Sequence, residues 1–561
     1  MRKKSLLFFI LMLAVVVALA ACGGNSSAPA DSEDGGQDSE NTDTNTNTNT
    51  NTSESSAPKT LIFARGADST NLDPPTTTDG EVSRVTRQIF ESLLEFADDS
   101  FEIQEGLAHD FEILDDGLRY RLHLREGVTF HDGTEFNADA VIFNFDRWSD
   151  KNHEHHYADL GFNYTYYGNE FGGFKGDEGH IIDDIVRVDE FTIEFVLNKK
   201  NAGFLKKLAM SAFSIASPQS FADYGSDVIE NPVGTGPFVF RDWKKNESIT
   251  LDKNPNYWKQ GQPILDTVIF QVIPDNSARL TALRSGDIDL MDGLNPDDVS
   301  SVESDANLTL YERLPNNVGY LGFNTEKEPF TDPKVRIALN HAVNKEALIV
   351  GLYGNLAETA KNPLPPGYLG YNDSIEEYAY DPERAKELLA EAGYPDGFEF
   401  DLWTMPVARP YMPDPQKAAE ALQADFANVG LKANIVTREW ATYQEELVQG
   451  LQDVFMLGWS GTNGDPDYFV NNLLSISAIP GGNRTFYRNE VVSDLFTRAI
   501  EEIDEQARDD MYQEALEIIH NEAPWIPLVH NRPVLASSSN VLNYVPHPST
   551  SESLANVDLA N

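Results

Sequence analysis

The clearest hydrophobic rhythm in the chain lies between Asp401 and Tyr468. After Asp414-Pro415, apolar side chains recur at helical spacing: Ala418, Ala419, Leu422, Phe426 and Val429, with Gly430 past the last. An aspartate cap, a proline in the first turn and a terminal glycine predict a helix there. The segment opens on Asp401-Leu402-Trp403-Thr404; beyond the helix come a short strand over 434–437, a helix over 442–449 and an apolar run at 454–457. This β-α-β-α-β order predicts a parallel sheet with crossover helices, in which ligands sit at loops leaving the carboxyl ends of strands. Two loops have suitable chemistry. One sets Arg409 between Pro406 and Pro410; the other is a Gly/Asn/Asp turn after Trp459.

Other patterns extend the picture. Leu61-Ile62-Phe63-Ala64 reads as a strand, and a polar loop through Asp73-Pro74 and Thr76 to Gly80 leads into an amphipathic helix bearing Val85, Ile89 and Leu93. Residues 120–125 alternate as a half-buried strand running to a turn at Asp132-Gly133, and Asn137 or Asp139 caps a helix through Val141, Phe145 and Trp148. Residues 185–197 read as two strands around Asp189-Glu190, and 318–324 as another strand. Asp332-Pro333 and Asp381-Pro382 repeat the Asp414-Pro415 helix start, so a separate α/β lobe is expected here. A helical pair over 491–520 and a strand at 524–529 carry the chain back to the first lobe. Two crossings make a hinge.

Composition adds compartment and surface. The 561 residues, 41% hydrophobic and 11% aromatic, can build a full core. The single cysteine, Cys22, excludes an intrachain disulfide. Arg2, Lys3 and Lys4 precede an apolar run at 6–19 and then Leu19-Ala20-Ala21-Cys22, which reads as a signal peptide over 1–21. Leu-Ala-Ala-Cys resembles the bacterial lipobox, which implies acylation of Cys22; plain signal cleavage is the alternative. Residues 22–58, with an Asn-Thr repeat and almost nothing apolar, form a tether reaching roughly 30–35 Å. The net charge of −48 argues against nucleic acid and reads as a solvated surface suited to a salty or alkaline medium. Attraction of cationic ligands is the other reading.

Three motifs invite chemistry. His131-Asp132 has no nucleophile in a motif beside it and reads as a turn pair. Gly234-Thr235-Gly236 lacks the Lys-Ser/Thr of a phosphate loop. His153, His155 and His156 are weak candidates for a transition metal, with a polar loop as the alternative. No metal or cofactor is assigned.

The run from Tyr120 to Trp148, Asn231 to Phe240, Val318 to Lys345 and Asp381 to Asp467 together resemble the family-5 extracytoplasmic solute-binding proteins of ABC importers, most closely dipeptide-binding members. The likeness spans about 59–561. It implies an α/β, two-lobe periplasmic-binding-protein-like (class II) clamp with an extra N-terminal subdomain. Lobe I would be 59–314 with the subdomain inserted at about 101–228, lobe II 315–530, and 531–561 a return to lobe I. The resemblance implies that Arg409 pairs with a ligand carboxylate, with Tyr411, Trp459, Ser460, Thr78 and Gly80 lining the pocket. A guanidinium suits that task because it donates two parallel hydrogen bonds. Where dipeptide-binding relatives carry an aspartate for the peptide's α-ammonium, this chain has Thr462. Either Asp465 or Asp467 then reaches the amine, or the ligand has none there. The implied protein is no enzyme: a lipid-anchored monomer on the outer face of the cytoplasmic membrane, capturing short peptides for a permease and its ATPase. A non-peptide cargo (metal-chelate, glutathione, opine or sugar) is the alternative, and a secreted hydrolase the more distant one.

Overall fold

A computed structural model describes residues 58–354 and 356–560. The expected signal peptide, Cys22 and the expected tether up to residue 57 lie outside the described residues. Three larger sheets organise what is described. The first has seven strands in the order Leu308–Glu312, Val534–Ser538, Leu290–Asp292, Thr60–Arg65, Thr267–Val272, Ser248–Lys253 and Phe238–Lys244. Alternation along Thr60–Arg65 serves two cores: Leu61 and Phe63 pack with Val268 and Phe270 on one face, while Ala64 packs with Leu280 and Met291 on the other.

The second sheet has six strands, ordered Ala357–Thr359, Trp525–Asn531, Asn317–Phe323, Val454–Ser460, Glu399–Thr404 and Lys432–Thr437. Glu399–Thr404 runs parallel to both Lys432–Thr437 and Val454–Ser460, as helix crossovers require. Asn317–Phe323, however, runs antiparallel to Val454–Ser460 and to Trp525–Asn531. The expected parallel sheet is therefore mixed: the crossover units supply its parallel part, and Asn317–Phe323, Trp525–Asn531 and Ala357–Thr359 pair antiparallel. All three Asp-Pro starts work as caps, with Asp332, Asp381 and Asp414 accepting from the amides of Lys334, Arg384 and Lys417. Ala418, Ala419, Leu422 and Phe426 then face the core.

The third sheet is antiparallel, ordered Ala108–Leu114, Arg119–Leu124, Thr192–Leu197 and Ile182–Arg187, and packs Leu122, Phe136, Phe145, Trp148 and Phe195 in a core of its own. Asn137, not Asp139, caps the helix Ala138–Ser149. Leu93 is a correction: the helix Gly80–Ile89 ends at an extended Phe90, so Val85 and Ile89 enter the first sheet's core and Leu93 the third's.

The chain passes between the first and second sheets at 313–316 and again at 532–533. Those passages are tied together. Arg313 N–H donates to Pro533 O at 2.9 Å, Asn531 N–H to Asn317 Oδ1 at 3.0 Å, and Asn317 Nδ2 back to Asn531 O at 3.0 Å. Among the described residues no helix is long and apolar enough to cross a membrane.

Candidate ligand-binding site

A cavity of about 770 Å³ opens where these passages, the start of the helix Gly80–Ile89 and the loops after Glu399–Thr404 and Val454–Ser460 meet. That volume is typical of a small-molecule site. Thr78, Gly80, Arg409, Ser460 and Thr462 all line it.

Arg409 is held by a tight turn beyond the end of Glu399–Thr404. Its N–H donates to Met412 O at 3.0 Å and its carbonyl accepts from Met412 N–H at 2.8 Å. Pro410 O accepts from Asn531 Nδ2 at 2.7 Å, which fastens this turn to the end of Trp525–Asn531, just before the second passage. The Arg409 side chain is exposed and its guanidinium lies 5.2 Å from the Trp440 ring centroid. Among the described residues no carboxylate forms an ion pair with it. The guanidinium also bonds the Tyr411 side chain, which leaves most of its five N–H donors without a protein acceptor.

Tyr411, expected at the wall, lies behind it. Its ring is in the second sheet's core, packed so closely that a Cβ on Gly458 would stand 2.3 Å from Tyr411 Cδ2. Its carbonyl accepts the Tyr353 hydroxyl at 2.8 Å. Tyr411 therefore positions Arg409 without lining the cavity. Trp459 is likewise turned away, because strand alternation sends Ser460 to the cavity and leaves the indole half-buried beside Tyr468, ring centroids 5.5 Å apart.

Asp465 does not reach the cavity. It is 2% exposed and bonded to Arg508 Nη2 at 2.8 and 2.9 Å. Burial alone would raise its pKa, but Arg508 and then Lys206 outweigh that and hold the carboxyl at about 2. Its countercharge is already taken. Asp467 is not on the wall either; burial, reinforced by Asp465 and Glu170 and opposed by Lys207, pushes its carboxyl up to about 6. The rest of this loop is stitched to the third sheet's surroundings: Asn463 Nδ2 donates to Glu170 Oε2 at 3.1 Å, and Lys206 Nζ to Gly464 O at 2.7 Å.

The opposite wall is set by helix capping. Asp79 accepts from Glu81 N–H at 2.9 Å, which starts the helix at Gly80 and leaves Thr78 and Gly80 at the cavity. Other charged groups at the wall went unread in the sequence. Arg87 pairs with Glu95 at 3.2 Å, and Arg313 with Glu552 and, at 3.1 Å, Asp292. Arg532 stands 3.7 Å from Glu312, and Asp98 is exposed. No local motif marks them, since each reaches the cavity through tertiary folding.

The histidine cluster lies away from the cavity, among the helices near the third sheet. His156 is buried, stacked on Tyr164 at 4.2 Å, with Nδ1 2.8 Å from Arg147 O. His155 Nδ1 is 2.7 Å from the Tyr157 hydroxyl, and His153 Nδ1 accepts from His155 N–H at 3.2 Å. Among the described residues no group of three or more His, Cys, Asp or Glu could hold a metal ion. His131 bonds Gly236 O at 2.9 Å and Asp132 accepts the Thr134 amide at 2.9 Å.

The cavity thus lies between the first and second sheets, beside the two passages that join them. The family profile of bacterial extracellular solute-binding proteins, family 5 Middle, matches residues 102–480. The chain belongs to this family. It is 40% identical over 511 residues to heme-binding protein A of Haemophilus influenzae, covering 88% of this chain and 91% of that one. It is 36% identical over 515 residues to the dipeptide-binding protein of Escherichia coli, covering 89% and 95%. Its structure is similar to HbpA2 from Haemophilus parasuis (TM-score 0.84, 34% identity, 90% of this chain and 100% of that chain). It is also similar to DppA from Helicobacter pylori in complex with the peptide STSA (TM-score 0.73, 36% identity, 90% and 98%). The protein has the periplasmic-binding-protein fold, is the extracytoplasmic substrate-binding component of an ABC importer, and catalyses no reaction.

Proposed function

We propose that the cargo is a short peptide with a free carboxyl end, held by Arg409 and delivered to a permease and its ATPase. The observation that carries this is the exposed Arg409 guanidinium, fixed by its turn at the cavity wall and paired with no carboxylate among the described residues. Ser460, Thr462 and the Thr78–Gly80 segment supply polar wall around the peptide main chain. The relatives named for dipeptides and the peptide-bound DppA support the same cargo. In this reading lobe I is 59–314 with 531–561, lobe II is 315–530, and an acylated Cys22 tethers the clamp to the membrane.

Thr462 gives the amine a hydrogen-bond partner but no charge, and Asp465 is spent on Arg508. Amine recognition is therefore weak. Heme, the cargo in one relative's name, finds little here: His547, the histidine on the wall, has Nδ1 2.7 Å from Ser549 Oγ and Nε2 2.9 Å from Ser100 O. Isothermal titration of ligand-free protein with a dipeptide, its N-acetyl analogue and hemin tests the reading. The free and acetylated peptides should bind within about threefold of each other and hemin far more weakly. Hemin binding without peptide binding would overturn the cargo; a large penalty on acetylation would overturn the account of the amine.

A further inference from the structure

The cavity wall carries more uncommitted positive charge than one carboxyl terminus needs. Of its guanidiniums, Arg87 and Arg313 are neutralised by close carboxylates. Arg409 and Arg532 are not. The nearest carboxylate to Arg532, that of Glu312, stands 3.7 Å away, beyond hydrogen-bond reach, with both side chains more than a third exposed. Such a pair contributes little. Arg532 Nε is itself buried and finds no acceptor, an arrangement that costs free energy unless something else accepts from it.

The two arginines are neighbours through the fold and not through the sequence. Asn531 Nδ2 donates to Pro410 O at 2.7 Å, so the residue after Asn531 and the residue before Pro410 flank a single hydrogen bond. The Arg532 backbone is also fixed, its N–H donating to Leu356 O at 2.7 Å. The acidic side of the wall is thinner. Asp292 is tied up by Arg84 and Arg313, which leaves Asp98 as the exposed carboxylate there. In a chain of net charge −48, two loosely held cations beside one cavity run against the general surface.

We propose that Arg532 forms a second anion subsite beside Arg409, so that the preferred cargo is a short peptide bearing a second carboxylate, on a side chain or a branch. This rests on the reading that Arg409 holds a peptide's carboxyl end. Arg532 lies on the passage between Trp525–Asn531 and Val534–Ser538, so an anion bridging both arginines contacts the second sheet's loop and the interlobe connection together. Its contacts would then strengthen on closure, the condition for a ligand to favour the closed state.

The test compares Ala-Glu and Glu-Ala with their neutral isosteres Ala-Gln and Gln-Ala, by titration calorimetry at low salt, on the wild type and on Arg532→Met. At least one glutamyl peptide should bind wild type tenfold or more tightly than its glutaminyl isostere, as a charge-assisted hydrogen bond predicts. The ratio of glutamyl to glutaminyl affinity, each measured on the variant itself, should fall to within about twofold in Arg532→Met. Equal affinity of each pair for wild type, with glutaminyl peptides bound and then weakened at least tenfold in Arg409→Ala, would overturn the second subsite and spare the peptide reading. Absence of binding by all four would overturn both. A ratio that persists in Arg532→Met would place the second anion elsewhere and overturn the assignment.

Discussion

Asp467→Asn should stabilise the protein at neutral pH and flatten part of its pH dependence. Asp467 opens the helix Asp467–Leu474, its N–H donates to Asp465 Oδ1 at 3.0 Å, and its own Oδ1 is buried without a partner. Burial first, then Asp465 and Glu170 against the pull of Lys207, lifts the carboxyl from 3.8 to about 6. A carboxyl whose folded value lies above its unfolded value binds its proton more tightly in the folded state. Ionising it therefore costs stability above about pH 6, and the cost disappears as pH falls toward 3.8. At ~1.4 kcal/mol per unit, ionised Asp467 costs ~3 kcal/mol at pH 7.5 and about half of that at pH 5. Asparagine removes this cost and forfeits about 0.5 kcal/mol of favourable charge at the helix start. Urea unfolding of both proteins from pH 5 to 7.5 at fixed ionic strength gives the difference curve, which cancels the shared effect of a −48 net charge. Asp465 contributes with the opposite sign, but it is held at about 2, so its contribution is lost only as pH falls from about 4 toward 2, outside this window. The variant should lead by ~2–3 kcal/mol at pH 7.5, with the lead shrinking by ~1–1.5 kcal/mol at pH 5. A constant lead, or a variant less stable at pH 7.5, would refute the reasoning.

Two further substitutions probe what supports the site. In Gly458→Ala the new Cβ meets Tyr411 Cδ2 at 2.3 Å and the Val318 carbonyl oxygen at 2.4 Å, so the Arg409 turn must shift. We expect ~1–3 kcal/mol of destabilisation and at least fivefold weaker peptide binding by calorimetry, against Gly351→Ala, which meets nothing within 4 Å. Unchanged affinity would show that Tyr411 does not position Arg409. Asp73→Ala leaves the fully buried Arg147 without the carboxylate it reaches at 2.8 and 3.1 Å, and should cost ~3–5 kcal/mol in urea unfolding. A loss under ~1 kcal/mol would show the pair contributes little.

Local pattern carried far in this chain. The three Asp-Pro starts, the turn at Asp132-Gly133 and the strands around Leu61 and Val454 depend on neighbours within a few residues, and all formed where the periodicity placed them. What escaped was non-local. Nothing near Asp465 announces that Arg508 will claim it, and nothing near Arg532 announces that Asn531 will bond to Pro410. Strand direction escaped for a similar reason: Asn317–Phe323 belongs to no crossover unit, so its antiparallel pairing follows from where the chain enters the sheet. Trp459 and Ser460 differ by one position, and only the register of the assembled sheet decides which faces the cavity.

The central claim is that the Arg409 guanidinium grips the carboxylate of the cargo. Calorimetry of one dipeptide and its C-terminal amide, each against wild type and Arg409→Ala, tests it most directly. Amidation should weaken wild-type binding by at least tenfold, the value of a charge-assisted pair, and should leave Arg409→Ala binding unchanged between the two peptides. An equal amidation penalty in both proteins would contradict the account.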